Sequence, residues 1–257
     1  MFTRNDLGAG WQNSSSAHLA LPAGSTVVRA WLTWSAVGAG AASTQSADLA
    51  APGGQPVSLK TDQVVPIKVS DQSGYVAVAD VTDAVAAGGS GDWTAGNITL
   101  ADKPGNQLYA GWSLVVVTTS PTAPVQNITV LAGPHLLSSG TDWTGHALGL
   151  RGGAADLLMV AWEGDAGHTG DSLSVHGQAL SPRDGMSDKD DAAASSSLGA
   201  LTRDGTAQEL TFGVDVRTFE APRDAADQHG DITLGTNGDN YVLGLLAITT
   251  GDGVGGP

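Results

Sequence analysis

Apolar and polar positions alternate, or apolar residues run together with β-branched ones, in a series of short segments that stop at Gly, Pro, Asn or Asp. Such segments are typical of β-strands joined by turns. They lie at 25–36, 56–60, 74–82, 96–101, 108–119, 125–133, 146–150, 156–164, 171–178, 208–219, 230–235 and 240–250. Helical spacing is limited to 80–89, where we expect one or two turns, and 188–201, where we expect a short helix or a loose loop. The pattern predicts an all-β protein.

The most apolar segment is "YAGWSLVVVTT" at 109–119, which is uniformly apolar from Trp112 to Val117 except for Ser113. Because successive side chains of a strand point to opposite faces, this segment predicts an inner strand that is covered on both sides. We expect Leu114 and Val116 on one face, and Val115 and Val117 on the other, to be largely buried.

The order of the segments repeats along the chain. "VRAWLTWSA" is matched by "LLMVAWEGDA", "YVAVADVT" by "LTFGVDVR" with Asp80 opposite Asp215, and "YAGWSLVVVTT" by "YVLGLLAITT". The offset stays at about 125 to 135 residues, the length of one domain. We therefore expect two related antiparallel β-sandwich, jelly-roll-like halves, residues 1–122 and 123–257, with the boundary near Pro121 and Pro124, which interrupt strand pairing.

Charge and composition narrow the range of partners. The 257 residues include 26 acidic and 11 basic ones, a net charge of −15, which disfavours binding to nucleic acids and anionic membranes. Cysteine is absent, so disulfides and thiolate chemistry are excluded. No apolar run reaches the roughly 18 residues that a membrane-spanning helix needs. We expect no nucleic-acid partner and no membrane insertion.

Several motifs together resemble one known kind of protein. "NSSSAHLALPAGSTVVRAWLTWSA", "YVAVADVTDAV", "NQLYAGWSLVVVTTSPTAPVQNITVLAG", "VAWEGDAGHTGDSLSVHGQAL" and "GDNYVLGLLAITT" are similar to the large N-terminal head domain of bacterial, actinobacterial-type cell-surface proteins. In those proteins tandem Ig-like repeats and an anchor follow the head. The resemblance implies an extracellular or cell-surface location, with leader and anchor outside this sequence, and it supplies no catalytic residue.

Acidic residues concentrate in the Gly-rich stretch "WEGDAGHTGDS" at 162–172. Carboxylates that alternate in a turn can converge on a calcium ion, which prefers oxygen ligands. We expect Glu163, Asp165 and Asp171, with Asp239 from "GTNGDN", as candidate calcium ligands; His168 between them is a poor calcium ligand. The alternative is a set of Asx-turns in which the carboxylates bond their own backbone.

Other candidate binding residues are aromatic or amide side chains. Trp11, Trp93 and Trp143 lie in loop-like contexts, where exposed indoles could stack on sugars, although core packing is the alternative. Asn13, Asn97 and Asn127 fit the N-x-Ser/Thr glycosylation pattern. The run "SDKDDAAASSS" at 187–197 is expected to be a solvated loop.

Enzyme motifs are absent from the sequence: Ser113 is not in a G-x-S-x-G turn, and the six histidines show no zinc-ligand spacing. We expect a non-enzymatic extracellular or cell-surface module for adhesion or assembly, with a host or cell-surface protein, a glycan or copies of itself as partner. The alternatives are a carbohydrate-binding module assisted by calcium, a self-assembling subunit of a filament or surface layer, and a hydrolase that uses acids near Glu163.

Overall fold

The computed structural model describes residues 11–38, 44–69, 72–99, 109–148, 155–165, 167–183, 189–197, 211, 213–221 and 229–251. These residues form four antiparallel four-stranded sheets and one short helix, which confirms the all-β prediction. The chain divides into two compact units, Met1–Ala123 and Pro124–Pro257. No helix in the described part of the chain is long and apolar enough to cross a membrane.

The first unit is a sandwich of two sheets. Its elements are β1 (Ser15–Leu19), β2 (Thr26–Val37), β3 (Gln45–Ala50), β4 (Val57–Thr61), β5 (Val64–Val69), β6 (Gln72–Asp80), α1 (Thr82–Gly88), β7 (Gly91–Gly96) and β8 (Tyr109–Thr119). One sheet has the order β1-β7-β3-β4 and the other β5-β6-β2-β8. The core between them holds Trp34 and Tyr75 from one sheet and Leu49 and Trp93 from the other, all nearly inaccessible to solvent.

The second unit is also a two-sheet sandwich. Its strands are β9 (Gln126–Leu137), β10 (Thr141–Leu148), β11 (Ala155–Trp162), β12 (Ser172–Val175), β13 (Gln178–Ala179), β14 (Val214–Ala221), β15 (His229–Thr236) and β16 (Tyr241–Gly251). The sheets have the orders β10-β15-β12-β13 and β14-β11-β16-β9. Met159 and Phe219 of one sheet meet Leu173 and Leu234 of the other in its core.

The two units are built on one plan. If β2, β3, β6, β7 and β8 are matched with β11, β12, β14, β15 and β16, as the sequence repeat requires, the strand orders coincide. β10-β15-β12-β13 repeats β1-β7-β3-β4, and β14-β11-β16 repeats β6-β2-β8. Among the described residues the strand orders differ in two ways: β9 extends the second sheet beyond β16, and isolated bridges from Pro182 and Ser197 to β14 stand where β5 pairs in the first unit. The prediction of two related sandwich halves is confirmed.

One predicted strand is displaced. The segment 96–101 was expected to be a strand, but β7 occupies 91–96 and residues 97–99 are irregular. Asn97 has a φ of 51°, in the left-handed region that a strand does not use, so β7 ends before it. The matching turn predicted at 102–107 lies outside the described residues.

The apolar segment at 109–119 is strand β8, which pairs with β2 along its whole length. Ser113 and Val115 on one face are buried, and Leu114 and Val116 on the other are half-buried against the core of the first unit. Val117 is only half-buried, so the expectation that all four apolar residues would be largely buried is too strong. Among the described residues β8 is the last strand of its sheet, so the prediction that it is an inner strand is wrong.

Candidate functional site

Two loops of the second unit meet at the same end of its sandwich. The β11–β12 loop and the β15–β16 turn are joined by a hydrogen bond from the Asn237 N–H to the Gly170 carbonyl at 3.1 Å. A side chain on Gly238 would begin 2.7 Å from the Thr169 carbonyl oxygen, so only glycine permits this approach. The close backbone contact brings the acidic residues of the two loops together.

The side chains brought together are Asp165, His168 and Asp239, whose ligand atoms all lie within 4.8 Å of one another. His168 Nδ1 is 3.6 Å from Asp165 Oδ2, and both side chains are largely exposed. Asp239 is half-buried: its Oδ1 accepts the Asn240 N–H at 2.6 Å, while its Oδ2 is buried and has no hydrogen-bond partner among the described residues. We call these three side chains the DHD group.

Asp171 lies next to the DHD group at the start of β12. It is fully buried, and neither carboxylate oxygen has a hydrogen-bond partner among the described residues. The adjacent Thr236 hydroxyl directs its proton to the Asp239 carbonyl at 2.9 Å. Burial raises the pKa of Asp171 to about 6, Thr236 partly offsets this, and the negative charges of Asp239, Asp191 and Asp165 raise the pKa further. The negative charge of a buried carboxylate near other carboxylates is unfavourable, and a bound cation would stabilise it.

A buried segment passes on the other side of Asp171. Residues 191–197 are all buried, with Asp191 bridged to Asp171 and Ser197 bridged to Val216. The expected solvated loop, or short helix, is therefore wrong for residues 191–197, whereas residues 189–190 are exposed as expected; residues 187–188 and 198–201 are outside the described part. We call residues 190–197 the strap.

The strap is held by Asp215 of β14. The Asp215 carboxylate, which is fully buried, accepts the backbone N–H groups of Ser196 at 2.9 Å and Ser195 at 3.2 Å. Burial raises the pKa of Asp215 to about 7, although these amides and the charge of Arg217 act to lower it. Gly164 is required beside this carboxylate, because a side chain there would collide with Asp215 and with the Ala193 carbonyl.

The four acidic residues that the sequence suggested as calcium ligands have different positions in the structure. Asp165 and Asp239 come together, as the calcium hypothesis requires, and Asp171 adjoins them as a buried charge. Glu163 does not belong to the DHD group; its backbone has a φ of 70° and its N–H donates to the Gly213 carbonyl at 2.6 Å. His168 does belong to the group, which calcium chemistry alone did not suggest.

The three candidate tryptophans lie in different surroundings. Trp93, which we expected in a loop, lies on β7, is 1% exposed and donates its Nε1–H to the Gly89 carbonyl at 3.0 Å, so the sugar-stacking assignment for it is wrong. Trp143 lies on β10, half-buried against the core of the second unit, and its ring centroid is 5.7 Å from that of His135. Trp11 is half-buried and its ring closely approaches Gly96.

At two of the three candidate glycosylation sites the asparagine side chain is hydrogen-bonded to other residues of the protein. Asn13 exchanges two hydrogen bonds with the backbone of Ile98, at 2.9 and 3.1 Å. Asn97 accepts the Gln12 N–H at 2.6 Å and donates to Asp48 at 2.7 Å. Asn127, on β9, is the exposed member of the three.

Comparisons with known proteins assign no family. No family model matches the chain, and none of the curated proteins matches it. Among solved structures, the major capsid protein P2 of bacteriophage PM2 is 13% identical, with 97% of this chain and 96% of that chain covered and a TM-score of 0.28. The mavirus major capsid protein is 10% identical, with 93% and 84% covered and a TM-score of 0.19.

Proposed function

We propose that this protein is a non-enzymatic β-sandwich module that acts by assembly, in which strand β9 of one copy pairs with β9 of another. The observation that carries this proposal is the outer edge of β9. This strand is twelve residues long, is the last strand of its sheet, and pairs with β16 alone in the described part of the chain. A long edge strand presents backbone donors and acceptors on which another strand can pair.

The chemistry of β9 favours a second copy as the occupant. In a chain of net charge −15, β9 contains no Asp, Glu, Lys or Arg. Ile128 and Leu136 are 41% and 40% exposed, and the adjoining Val125 is 76% exposed. Charged residues are the usual means by which edge strands avoid pairing, and here they are absent.

The shape of β9 limits the pairing to its first half. The register with β16 shifts between Leu243 and Leu245, opposite Gly133 and Pro134, so β9 has a bulge there. Bulges and prolines interrupt further pairing. The regular part, 126–132, can pair antiparallel with the same segment of a second copy, which closes a two-fold dimer instead of a filament.

Several acidic residues of the described chain have structural partners, which supports a non-enzymatic role. Asp215 holds the strap, Asp80 accepts the Thr82 N–H at 2.8 Å, and Asp48 accepts from Asn97. The resemblance to cell-surface head domains supports an extracellular or surface setting for the assembly, with adhesion to another protein or a glycan as the alternative use of the same module.

Light scattering after size exclusion, from about 10 µM to about 1 mM protein, tests the proposal. We expect a monomer–dimer equilibrium that strengthens with salt, because two copies of a chain with a charge of −15 repel each other. Ile128→Lys should abolish the dimer, since it places a charge on the pairing edge. Val57→Lys is the matched control: Val57 is 63% exposed on β4, another terminal strand.

The control separates edge pairing from a general effect of charge. Equal loss of dimer in both variants, or a wild-type protein that stays monomeric at every concentration and salt, would contradict the proposal. Both positions are exposed, so either lysine should change the free energy of unfolding by less than about 1 kcal/mol.

A further inference from the structure

We propose that the DHD group is a binding site for a divalent first-row transition ion, Zn²⁺ or Mn²⁺, in preference to Ca²⁺. The first support is geometric. Ligand atoms of Asp165, His168 and Asp239 lie within 4.8 Å of one another. Ligands on opposite sides of one ion, at about 2.0 to 2.4 Å each, are about 4 to 5 Å apart, so one ion can reach all three.

The second support comes from buried atoms that need a positive partner. The Asp239 Oδ2 and both oxygens of Asp171 are buried and have no hydrogen-bond partner among the described residues. Buried carboxylate oxygens are normally hydrogen-bonded or bound to a cation. Asp171 is fully buried and is influenced by the charges of Asp239 and Asp165, so a cation bound to the DHD group would offset its charge too.

The choice of ion follows from His168. Calcium prefers oxygen atoms throughout its shell, whereas imidazole nitrogen is a common ligand of zinc and other transition ions. The protein would supply two carboxylates and one imidazole. Because Asp165 and His168 are exposed, water can fill the remaining coordination positions of the ion. This donor set is suited to Zn²⁺, or to Mn²⁺ where more positions are filled by water.

Backbone hydrogen bonds hold all three members of the DHD group in place. The Asp239 N–H donates to Thr236 Oγ1 at 3.2 Å, and Asn240 holds Asp239 Oδ1. The His168 N–H donates to the Asp165 carbonyl at 3.2 Å, which keeps these two residues in one turn. The site is therefore built from two loops that are already joined by the Asn237–Gly170 hydrogen bond.

Calorimetry and thermal melting of the whole, chelator-treated chain test the site, with Zn²⁺, Mn²⁺ and Ca²⁺ added separately. We expect one Zn²⁺ per chain, a higher melting temperature with Zn²⁺, and weaker binding of Ca²⁺, since only the folded state presents the group. His168→Gln should weaken Zn²⁺ at least about tenfold and leave Ca²⁺ affinity nearly unchanged, while Asp239→Asn should weaken both.

A matched surface pair provides the control. His146 Nδ1 is 2.7 Å from Asp231 Oδ1 on the same unit, and both side chains are exposed, but no third ligand among the described residues is grouped with them. His146→Gln and Asp231→Asn should therefore leave metal binding unchanged. Paramagnetic resonance of bound Mn²⁺ gives a readout that does not depend on stability.

Three results would overturn the proposal of a transition-ion site. They are no binding of any of the three ions, equal loss of binding in the His146 and His168 variants, and Ca²⁺ binding tighter than Zn²⁺. The last would keep a cation at the group but contradict the role of His168. Because the metal test does not involve β9, its outcome is independent of the assembly proposal.

Discussion

Removal of the Asp215 carboxylate should release the strap while the sandwich remains folded. In Asp215→Ala the backbone N–H groups of Ser195 and Ser196 lose their acceptor in a buried place. A buried donor without a partner costs about 1 to 3 kcal/mol, so the pair amounts to about 2 to 6 kcal/mol, and about 3 kcal/mol lies near the lower end of that range. The strap should then open about a hundredfold more often, since 1.4 kcal/mol corresponds to a factor of ten.

Native-state hydrogen exchange measures this opening directly. We expect the amides of Ser195, Ser196 and Ala192 to exchange about a hundredfold faster in Asp215→Ala, while amides of β2 and β8 keep their rates. Asp80→Ala is the control, because Asp80 lies at the exposed end of β6, where it accepts the Thr82 N–H at 2.8 Å and takes no part in holding the strap. Strap exchange that changes by less than about threefold would refute the role assigned to Asp215.

The charge of Asp215 also gives a pH signature. Its folded-state pKa of about 7 lies above the usual aspartate value of 3.8, because burial outweighs the stabilising amides and Arg217. The folded state therefore holds a proton that the unfolded state has lost, so stability should fall as pH rises from about 4 to about 7 and then level off. At 1.36 kcal/mol per pKa unit, the upper limit is about 4 kcal/mol.

The variant Asp215→Asn shows how much of the change of stability with pH comes from Asp215 itself. Arg217 and Tyr241 face the same interior, and the pKa of the Tyr241 phenol is raised by burial and by the charges of Asp171, Asp215 and Asp142. The Tyr241 phenol stays uncharged between pH 4 and 7. Urea unfolding across that range should show a shallower fall for Asp215→Asn than for the wild type, and identical slopes would contradict the assignment.

Two further substitutions test close contacts. Gly164→Ala should destabilise the second unit by about 1 to 3 kcal/mol in urea unfolding, because the added methyl group collides with Asp215 and Ala193; an unchanged midpoint would show that the contact relaxes freely. Asn97→Ala should cost about 1 to 3 kcal/mol, since it removes the bonds to Gln12 and Asp48 and keeps a φ of 51° that alanine disfavours. Glycine adopts a φ of 51° without strain, so Asn97→Gly should lose only the stability that the side-chain hydrogen bonds provide. Equal losses of stability in the two variants would therefore assign the whole effect to those hydrogen bonds.

The fold was predictable because its signals are local. Alternation and turn residues locate β2, β6, β8 and β16 to within about two residues, and the repeat of their order reveals the two halves. The displaced strand at 96–101 has a non-local cause: Asn97 adopts its φ of 51° while bonded to Gln12 and Asp48, which are far away in the sequence.

The candidate site was predictable only in part, because contacts between residues far apart in the sequence position several of its side chains. A run of Asp, Lys and Ser is usually solvated, and nothing inside this run shows that Asp215 would hold residues 191–197 in a buried place. The sequence indicated Asp165 and Asp239 through their Gly-rich turns, but the proximity of His168 to Asp239 depends on the contact between Gly170 and Asn237. Trp93 looked like a loop residue because Gly and Ser surround it, although the core determines its position.

The shared strand order of the two halves poses a problem during folding. Equivalent strands of tandem, similar domains can exchange places before either domain is complete, which is a common route to misfolding. In this protein the equivalent strands carry core side chains of different size. Trp93 in β7 corresponds to Ile232 in β15, and both are buried. An exchanged β7 would bring an indole to a space shaped for isoleucine, so divergence of the two cores helps each strand find its own sandwich.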